Sequence, residues 1–234
     1  MNNVFVGRGR GVNLDLSKVG ILAIGSHEER HGAALPPDTD AKLASHVALE
    51  TAKRTGAKFL GVIYRSYELP GIDTGHHHTL DEITEELRTV LLQAKSSFDI
   101  GVVVLVNGHG GNIPLRERLP AIEAELGVRL IFNNTIIDLE GPHAGTEELS
   151  MGAAIGIADE SKVAEHCDFS RYPEVGFVGL REARKQYEWA ERHAREVETG
   201  GVRADHELGR RLLERAIVSI VSDVNNIRQC LARV

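Results

Sequence analysis

Short apolar runs alternate with amphipathic patterns along the first part of the chain. The runs are rich in β-branched residues and bounded by glycine or polar residues, as buried strands are, and they lie at 19–25, 58–64, 100–106 and 128–133. Between them, apolar residues recur three and four positions apart, which predicts helices at 40–55, from Thr79 onward and at 115–126. Strands that alternate with helices are typical of an α/β domain whose mostly parallel sheet is covered on both faces.

Local signals mark the ends of these predicted helices. Thr79 and Glu82 have the spacing of a capping box, in which each side chain satisfies a backbone amide of the other residue. Gly56 and Gly127 follow the last apolar positions of their helices, where glycine favours termination. The helical segments are therefore delimited by residues that suit their ends.

The last third of the chain is more helical. Residues 181–198 are highly charged, which predicts a surface helix, and residues 208–231 carry a continuous apolar stripe, which predicts a helix that packs on the sheet. Neither a sequence repeat nor a long linker divides the chain. We therefore expect one three-layer αβα domain with a mostly parallel central sheet over residues 1–234.

Composition and charge narrow the class of function. The 234 residues include 27 basic and 34 acidic side chains, a formal charge of −7. A field of this sign repels nucleic-acid phosphates and anionic lipids, so we expect neither as a partner. The N-terminal residues lack the apolar core of a secretory signal, and no apolar stretch approaches the roughly 20 residues that span a bilayer, so we expect a cytoplasmic protein. Cys167 and Cys230 are far apart, which predicts neither a disulfide framework nor a thiolate zinc site.

Histidines and acidic residues cluster where the predicted strands end. These clusters occupy 25–32 and 35–40 after the first strand, 75–78 after the second, 107–112 after the third and 143–148 after the fourth. Ligands of open α/β sheets bind at the carboxyl ends of the strands, so we expect these loops to converge. Carboxylate oxygens with imidazole nitrogens suit Zn, Fe(II) or Mn, and two such ions with a bridging carboxylate can activate water for hydrolysis.

The polar residues of these clusters do not all require a functional explanation. Glu29, His31, Asp40 and His109 are best explained together, as metal ligands. The histidine run 76–78 is equally compatible with a solvated loop. Ordinary capping, turn or helix-surface roles are the simpler interpretation for Glu28, Asp38, His46, His166 and His193.

The glycine-rich segment 7–11 has two interpretations. It is typical of a flexible terminal arm. Alternatively, Arg8 or Arg10 binds a substrate phosphate, since a guanidinium pairs with phosphate through two hydrogen bonds. A phosphate-binding P-loop is excluded, because the chain contains no G-x-x-x-x-G-K-[ST] motif.

Several motifs, in this order, resemble those of the creatininase (creatinine amidohydrolase) family. They are G-S…E-x-H-G at 25–32, L-P-x-x-T-D at 35–40, N-G-H-G-G-N at 107–112, H-A-G…E…S at 143–150 and a late G-V…D at 201–205. The combination extends over most of the chain and is specific, although each piece alone is not. The resemblance implies a creatininase-like fold, a metal-dependent amide hydrolase and a homo-oligomer, either a dimer or a hexamer.

The resemblance also implies a dinuclear metal centre of Fe(II), Zn or both, with Mn as a further option. Carried over by motif, Glu29 and His109 would hold one ion and His31 would hold the other. Asp40 would bridge the two ions.

This chain departs from creatininase at one ligand position. Creatininase has a second carboxylate two residues after the histidine that matches His109, whereas this chain has Gly111. Glu148 is our candidate for the replacement ligand, with its neighbour Glu147 as the rival.

Two histidines are candidates for roles toward the substrate. Hydrolysis of an amide releases an amine that needs a proton, and histidine supplies one near neutral pH. We expect His143 to be this catalytic residue and His77 to contact the substrate.

Further details make the chain look more like an archaeal branch of the family. One extra residue separates Gly-Ser from the metal-binding glutamate, and the single tryptophan, Trp189, predicts that the aromatic clamp over a small cyclic amide is missing. The stretches 35–42 and 57–62 also resemble that branch. Its members release formate from a formylamino-pyrimidine ribonucleotide in riboflavin and deazaflavin cofactor synthesis, so a small nucleotide-like substrate is implied. The alternatives are a creatinine-type cyclic amide or peptide hydrolase and a non-catalytic metal-binding scaffold.

Overall fold

The fold is built on a parallel sheet. In the computed structural model, which describes residues 16–231, the sheet has four strands: β1 (Val19–Ile24), β2 (Lys58–Ile63), β3 (Val102–Asn107) and β4 (Arg129–Asn133). Their order is β2-β1-β3-β4, and every neighbouring pair is parallel. All residues of β1 and β3 are buried, as expected for central strands covered on both faces.

Helices cover both faces of this sheet. The described helices are α1 (Thr39–Thr55), α2 (Leu80–Phe98), α3 (Leu119–Leu126), α4 (Thr135–Leu139), α5 (Thr146–Ala154), α6 (Val163–His166), α7 (Arg181–Gln186), α8 (Glu188–Gly200) and α9 (His206–Leu231). Alternate residues of β1 and β3 pack against α1 and α9 on one face, and the intervening residues pack against α2 and α3 on the other. The predicted α/β class and its three αβα layers are confirmed.

The predicted helix ends also agree with the structure. Thr79 and Glu82 form the capping box at the start of α2. Gly56 and Gly127 end α1 and α3 in the left-handed conformation, with φ of 80° and 60°. Glycine adopts this conformation without a steric penalty, which is why it marks these ends so reliably.

Two helix predictions were wrong in their boundaries. The predicted helix at 115–126 is a 3₁₀ helix at Gly110–Glu117 followed by α3, because Pro120 has no amide hydrogen and fits only the first turn of a helix. The predicted surface helix at 181–198 is divided into α7 and α8 by Tyr187, whose backbone is extended (φ −123°, ψ 116°). Among the described residues, no helix is both long and apolar enough to cross a membrane.

The carboxyl ends of the four strands are level with one another. Ile24 of β1 pairs with both Ile63 of β2 and Asn107 of β3. Asn133 of β4 in turn pairs with Val106. The loops that follow the strands therefore leave the sheet side by side, and the start of α1 lies against them because Gly25 leaves room for its backbone.

Candidate metal centre

Asp40 lies between two histidines at the carboxyl edge of the sheet. Its Oδ2 is 2.9 Å from His109 Nδ1, and its Oδ1 is 3.0 Å from His31 Nε2. Asp40 belongs to the first turn of α1, where the helix dipole favours a negative charge, and it is only 3% exposed. Each oxygen of one buried carboxylate thus faces a different imidazole, as a bridging ligand requires.

Two further carboxylates complete a group of potential metal ligands on each side of Asp40. Glu29 Oε2 lies 2.7 Å from His109 Nδ1, and Glu148 Oε1 lies 3.2 Å from His31 Nε2. Both glutamates are buried, and Glu148 also accepts a hydrogen bond from the backbone amide of Ala144. Its rival Glu147 is in no candidate metal-binding group of the described residues. The structure thus brings together all five predicted ligands.

Backbone carbonyls orient both imidazole rings. His31 Nδ1 lies 3.0 Å from the carbonyl of Glu29, and His109 Nε2 lies 2.9 Å from the carbonyl of Tyr67. A carbonyl only accepts hydrogen bonds, so we assign the ring proton to these nitrogens. The other nitrogen of each ring then directs a lone pair at the carboxylates, as in many protein metal sites.

The donor set fits divalent metal ions. Lone pairs of nitrogen and carboxylate oxygen lie about 3 Å apart in each group, an arrangement that needs a cation between them. Glu29 Oε2 is buried and accepts no hydrogen bond from a described residue. Imidazole with carboxylate ligands suits Zn, Fe(II) and Mn, so the chemistry of the site does not select one of these metals.

The electrostatics of the site also favour positive charge. Burial disfavours a charged imidazole, yet Glu148 and Asp40 outweigh it and raise the pKa of His31 well above its usual value. Glu29 and Asp40 likewise overcome burial and raise the pKa of His109. In the absence of metal, the carboxylates therefore favour a further proton on each of these rings.

This proton binding predicts how the stability of the metal-free protein depends on pH. Because the folded-state pKa values of His31 and His109 are raised, their stabilisation is fully present below the unfolded value of about 6.5 and is lost as pH rises through the folded values. Removing the metal should therefore lower Tm little at about pH 6 and strongly at about pH 9. Thermal unfolding of metal-free and Zn-loaded protein between these two pH values tests the prediction. A difference in Tm between the two forms that shrinks with rising pH contradicts it.

His143 lies beside the two metal groups. Its Nε2 is 2.8 Å from the carbonyl of Arg30, so that nitrogen carries the ring proton. Its Nδ1 is 3.8 Å from Glu29 Oε1, and its ring centre is 4.6 Å from that of His31. Nδ1 of His143, which does not contact the carbonyl of Arg30, thus faces the carboxylate of Glu29.

His77, the residue predicted to contact the substrate, lies against His109. This ring stacks on His109 with centres 5.3 Å apart, and its nitrogens lie 3.2 and 3.1 Å from the hydroxyls of Ser66 and Thr74. It is not among the described residues that line the cavity beside the centre. His77 therefore packs against the ring of His109, and its contact with the substrate stays a prediction. The other predicted substrate contacts, Arg8 and Arg10, lie outside the described residues.

Glu68 lies beside Gly111, the position at which creatininase has a carboxylate. A Cβ on Gly111 would lie 2.1 Å from the carbonyl oxygen of Tyr67 and 2.9 Å from Glu68 Cα, so the backbone after β2 leaves no room for a side chain. Glu68 Oε2 lies 3.7 Å from His109 Nε2. Burial, partly offset by His109, raises the pKa of Glu68 to about 7. The sequence analysis missed this residue, although its position after a strand was the relevant signal.

We expect Gly111→Glu to damage the centre, even though it installs the carboxylate that creatininase has. The new side chain must displace the backbone at Tyr67, which orients His109, so we expect a loss of about 1–3 kcal/mol in stability together with reduced metal content. Gly110→Ala is the matched control, because the nearest atom to its Cβ would be 3.9 Å away. Denaturant unfolding and metal analysis test both variants, and a stable Gly111→Glu with two bound ions contradicts the prediction.

A cavity of about 300 Å³ opens beside the metal groups. Glu29, Asp40 and His109 line its floor, and Glu140 with residues from the last third of the chain lines its wall. The wall residues, all missed by the sequence analysis as site residues, are Glu140, Phe177, Trp189, Arg192 and His193.

Aromatic rings form part of this wall. Trp189 packs edge-on against Phe177 with ring centres 5.3 Å apart, and Phe177 stacks on His143, so an aromatic wall is present although the chain has one tryptophan. His193 is partly buried on its helix and lines the cavity. By contrast, His166 is buried and binds backbone atoms of Ala34 and Ala144, which is a structural role.

Proteins of similar sequence are deformylases by name. A protein from Methanothermobacter marburgensis named 2-amino-5-formylamino-6-ribosylaminopyrimidin-4(3H)-one 5'-monophosphate deformylase is 48% identical over 224 residues, which are 95% of this chain and 96% of that protein. A protein of the same name from Methanocaldococcus infernus is 40% identical over 93% of this chain and 96% of its own length.

Proteins of similar structure are creatininases. A crystal structure of creatinine amidohydrolase (creatininase) has a TM-score of 0.63 at 18% identity and covers 90% of both chains. A structure described as creatininase Mn has a TM-score of 0.64 at 17% identity over 90% of this chain and 91% of its own. At these identities the likeness shows a shared fold.

The family assignment rests on nearly the whole chain. The creatininase profile, described as creatinine amidohydrolase, matches residues 13–224. The motifs that carry the resemblance at 25–32, 35–40 and 107–112 are the same segments that build the centre around Asp40. The protein therefore belongs to the creatininase family.

Proposed function

We propose that the protein hydrolyses the formamide bond of 2-amino-5-formylamino-6-ribosylaminopyrimidin-4(3H)-one 5'-monophosphate and releases formate. The observation that carries this proposal is Asp40, which joins two ligand groups on the floor of a cavity beside Nδ1 of His143. Identity of 48% with relatives named for this deformylation supports the choice of substrate. The reaction then belongs to riboflavin and deazaflavin cofactor synthesis.

In this proposal the protein holds two divalent ions through five side chains. Glu29 and His109 would hold one ion, His31 and Glu148 would hold the other, and Asp40 would be shared between them. Bound there, the ions would supply a water of lowered pKa as the nucleophile at neutral pH and stabilisation of negative charge on the amide oxygen. Fe(II), Zn and Mn all suit these ligands.

His143 carries the proton that the reaction moves. Water adds to the formyl carbon, the carbon–nitrogen bond breaks, and the products are formate and the free arylamine. His143 Nδ1 accepts a proton from water and returns it to the leaving nitrogen, while Nε2 keeps its hydrogen bond to the carbonyl of Arg30. Glu29 Oε1, 3.8 Å from Nδ1, stabilises the ring while it is charged.

Formate release tests the proposed function. Metal-free protein is reloaded anaerobically with Fe(II), Zn or Mn and given the formylamino-pyrimidine ribonucleotide, with creatinine as the comparison substrate. We expect metal-dependent formate from the wild type and none from Glu29→Ala. Glu28→Ala is the matched control, because Glu28 precedes Glu29 in the sequence and its own carboxylate is about half exposed. Absence of formate with every metal refutes the deformylase, and turnover of creatinine alone favours the cyclic-amide alternative.

The assembly and cellular location remain predictions. We infer that the enzyme works in the cytoplasm as a homo-oligomer, a dimer or a hexamer. The exposed Val218 on α9 offers apolar surface to such an interface. Light scattering coupled to gel filtration distinguishes a monomer, a dimer and a hexamer.

A further inference from the structure

The cavity beside the metal centre is lined by carboxylates and a single strong cation. Among the described residues of its lining, Glu29, Asp40, Glu68 and Glu140 are acidic, and Arg192 alone carries a guanidinium or ammonium group. In the proposed function the ions at the floor would engage the amide, so a doubly charged phosphate at the other end of the substrate needs a cation of its own in another part of the lining. Arg192 is the residue that offers one.

The guanidinium of Arg192 is not engaged by the protein. It forms no hydrogen bond or ion pair with any residue in the described part of the chain. Its neighbours on α7 and α8 are neutralised instead: Arg184 and Arg195 each lie 2.7 Å from Glu191. The acidic residues of these helices therefore leave Arg192 available to a ligand.

Arg192 shares its helix face with two other lining residues. Trp189, Arg192 and His193 are three and four positions apart on α8, so they lie on the same side of the helix. His193 Nδ1 is buried and has no hydrogen-bond partner among the described residues. An unpaired guanidinium beside an unpaired ring nitrogen is a pattern suited to an anionic or strongly polar ligand group.

A row of rings connects this helix face with the reacting end of the cavity. His143 stacks on Phe177 at 5.3 Å between ring centres, and Phe177 contacts Trp189 at 5.3 Å. A flat pyrimidine suits such an aromatic wall. A substrate lying along the row would place its amide near His143 and its other end near Arg192.

We propose that Arg192 binds the 5'-phosphate of the substrate and so selects the nucleotide over the nucleoside. This inference rests on the proposed function, because it takes the substrate from there. It assigns to α8 the role that the sequence analysis gave to Arg8 or Arg10. The guanidinium binds two phosphate oxygens at once, which a lysine cannot reproduce.

Steady-state kinetics with the ribonucleotide and its dephosphorylated nucleoside test the assignment. Arg192→Ala should raise KM for the nucleotide roughly 10- to 100-fold with little change in kcat, the size expected for a charge-assisted hydrogen-bonded contact. KM for the nucleoside should stay unchanged, and Arg192→Lys should give an intermediate KM for the nucleotide. Arg195→Ala is the matched control on the same helix and should leave both KM values within about twofold of wild type.

Binding of ribose 5-phosphate separates this proposal from the proposed function. Calorimetry with the metal-loaded protein needs no turnover, so it reports on Arg192 even if no formate is released. We expect Arg192→Ala to weaken this binding at least about tenfold. Equal KM changes for nucleotide and nucleoside, or unchanged binding of ribose 5-phosphate, overturn the assignment. Loss of binding only in an Arg8→Ala, Arg10→Ala double variant overturns it in favour of the N-terminal arginines.

Discussion

Asp40→Ala should abolish metal binding and formate release together. Within residues 16–231, Asp40 is the one residue whose two oxygens face both histidines, at 2.9 and 3.0 Å, so its removal takes a ligand from each metal group. We expect fewer than one tightly bound ion per chain. We also expect kcat/KM to fall at least about 1000-fold, which exceeds the loss in rate caused by removing a single oxyanion-hole donor. Metal analysis after gel filtration and formate release measure the two losses.

Asp38→Ala is the matched control for this experiment. Asp38 lies two residues earlier, is about a third exposed and pairs with Lys42 on the surface, so the variant should keep its metal and its activity. Because Asp40→Ala could also alter folding, its circular dichroism is compared with that of metal-free wild type. A folded Asp40→Ala with two ions and normal turnover would show that Asp40 does not bridge.

The sheet and the floor of the site were predictable because both depend on local patterns. Buried parallel strands are continuous apolar runs, so their positions were confirmed to within two residues. Glu29, His31 and His109 lie in loops that directly follow β1 and β3, whose ends are level in the sheet. The closeness of these three residues could therefore be predicted from the general rule that loops after adjacent parallel strands converge, without knowledge of the tertiary contacts.

The cavity wall was not predictable in the same way. Phe177, Trp189 and Arg192 come from the last third of the chain, which reaches back over the strand ends through contacts with no local periodicity. The break at Tyr187, which sets the start of α8, has no proline or glycine to signal it.

Glu68 and His77 show a further limit of sequence patterns. Both follow β2, and the run of three histidines drew attention to His77. In the structure, Ser66 and Thr74 engage the ring of His77, while Glu68 enters the cavity. The position of a strand end predicts that the following loop lies near the site. The path of that loop decides which of its side chains enters the cavity.

His143→Ala should separate proton transfer from metal binding. The variant removes Nδ1, which faces Glu29, but none of the five proposed ligands, so we expect both ions to stay bound and kcat to fall by roughly 10²- to 10⁴-fold. His76→Ala is the matched control: its side chain is 70% exposed on a nearby loop, and the variant should retain wild-type kcat. Metal content and formate release are measured on the same preparations.

His143 could act as a metal ligand or as a proton carrier, and the two roles predict different results for His143→Ala. His31, His143 and Glu148 form one of the possible metal-binding groups of the described residues, so His143 has the chemistry for either role. A proton carrier predicts that exogenous imidazole restores part of kcat to His143→Ala and that the variant loses one limb of the pH–rate profile. Loss of one ion per chain, restored by excess metal and not by imidazole, identifies a ligand instead. The hydrogen bond from Nε2 to the carbonyl of Arg30 leaves Nδ1 pointing at Glu29, which favours the proton carrier.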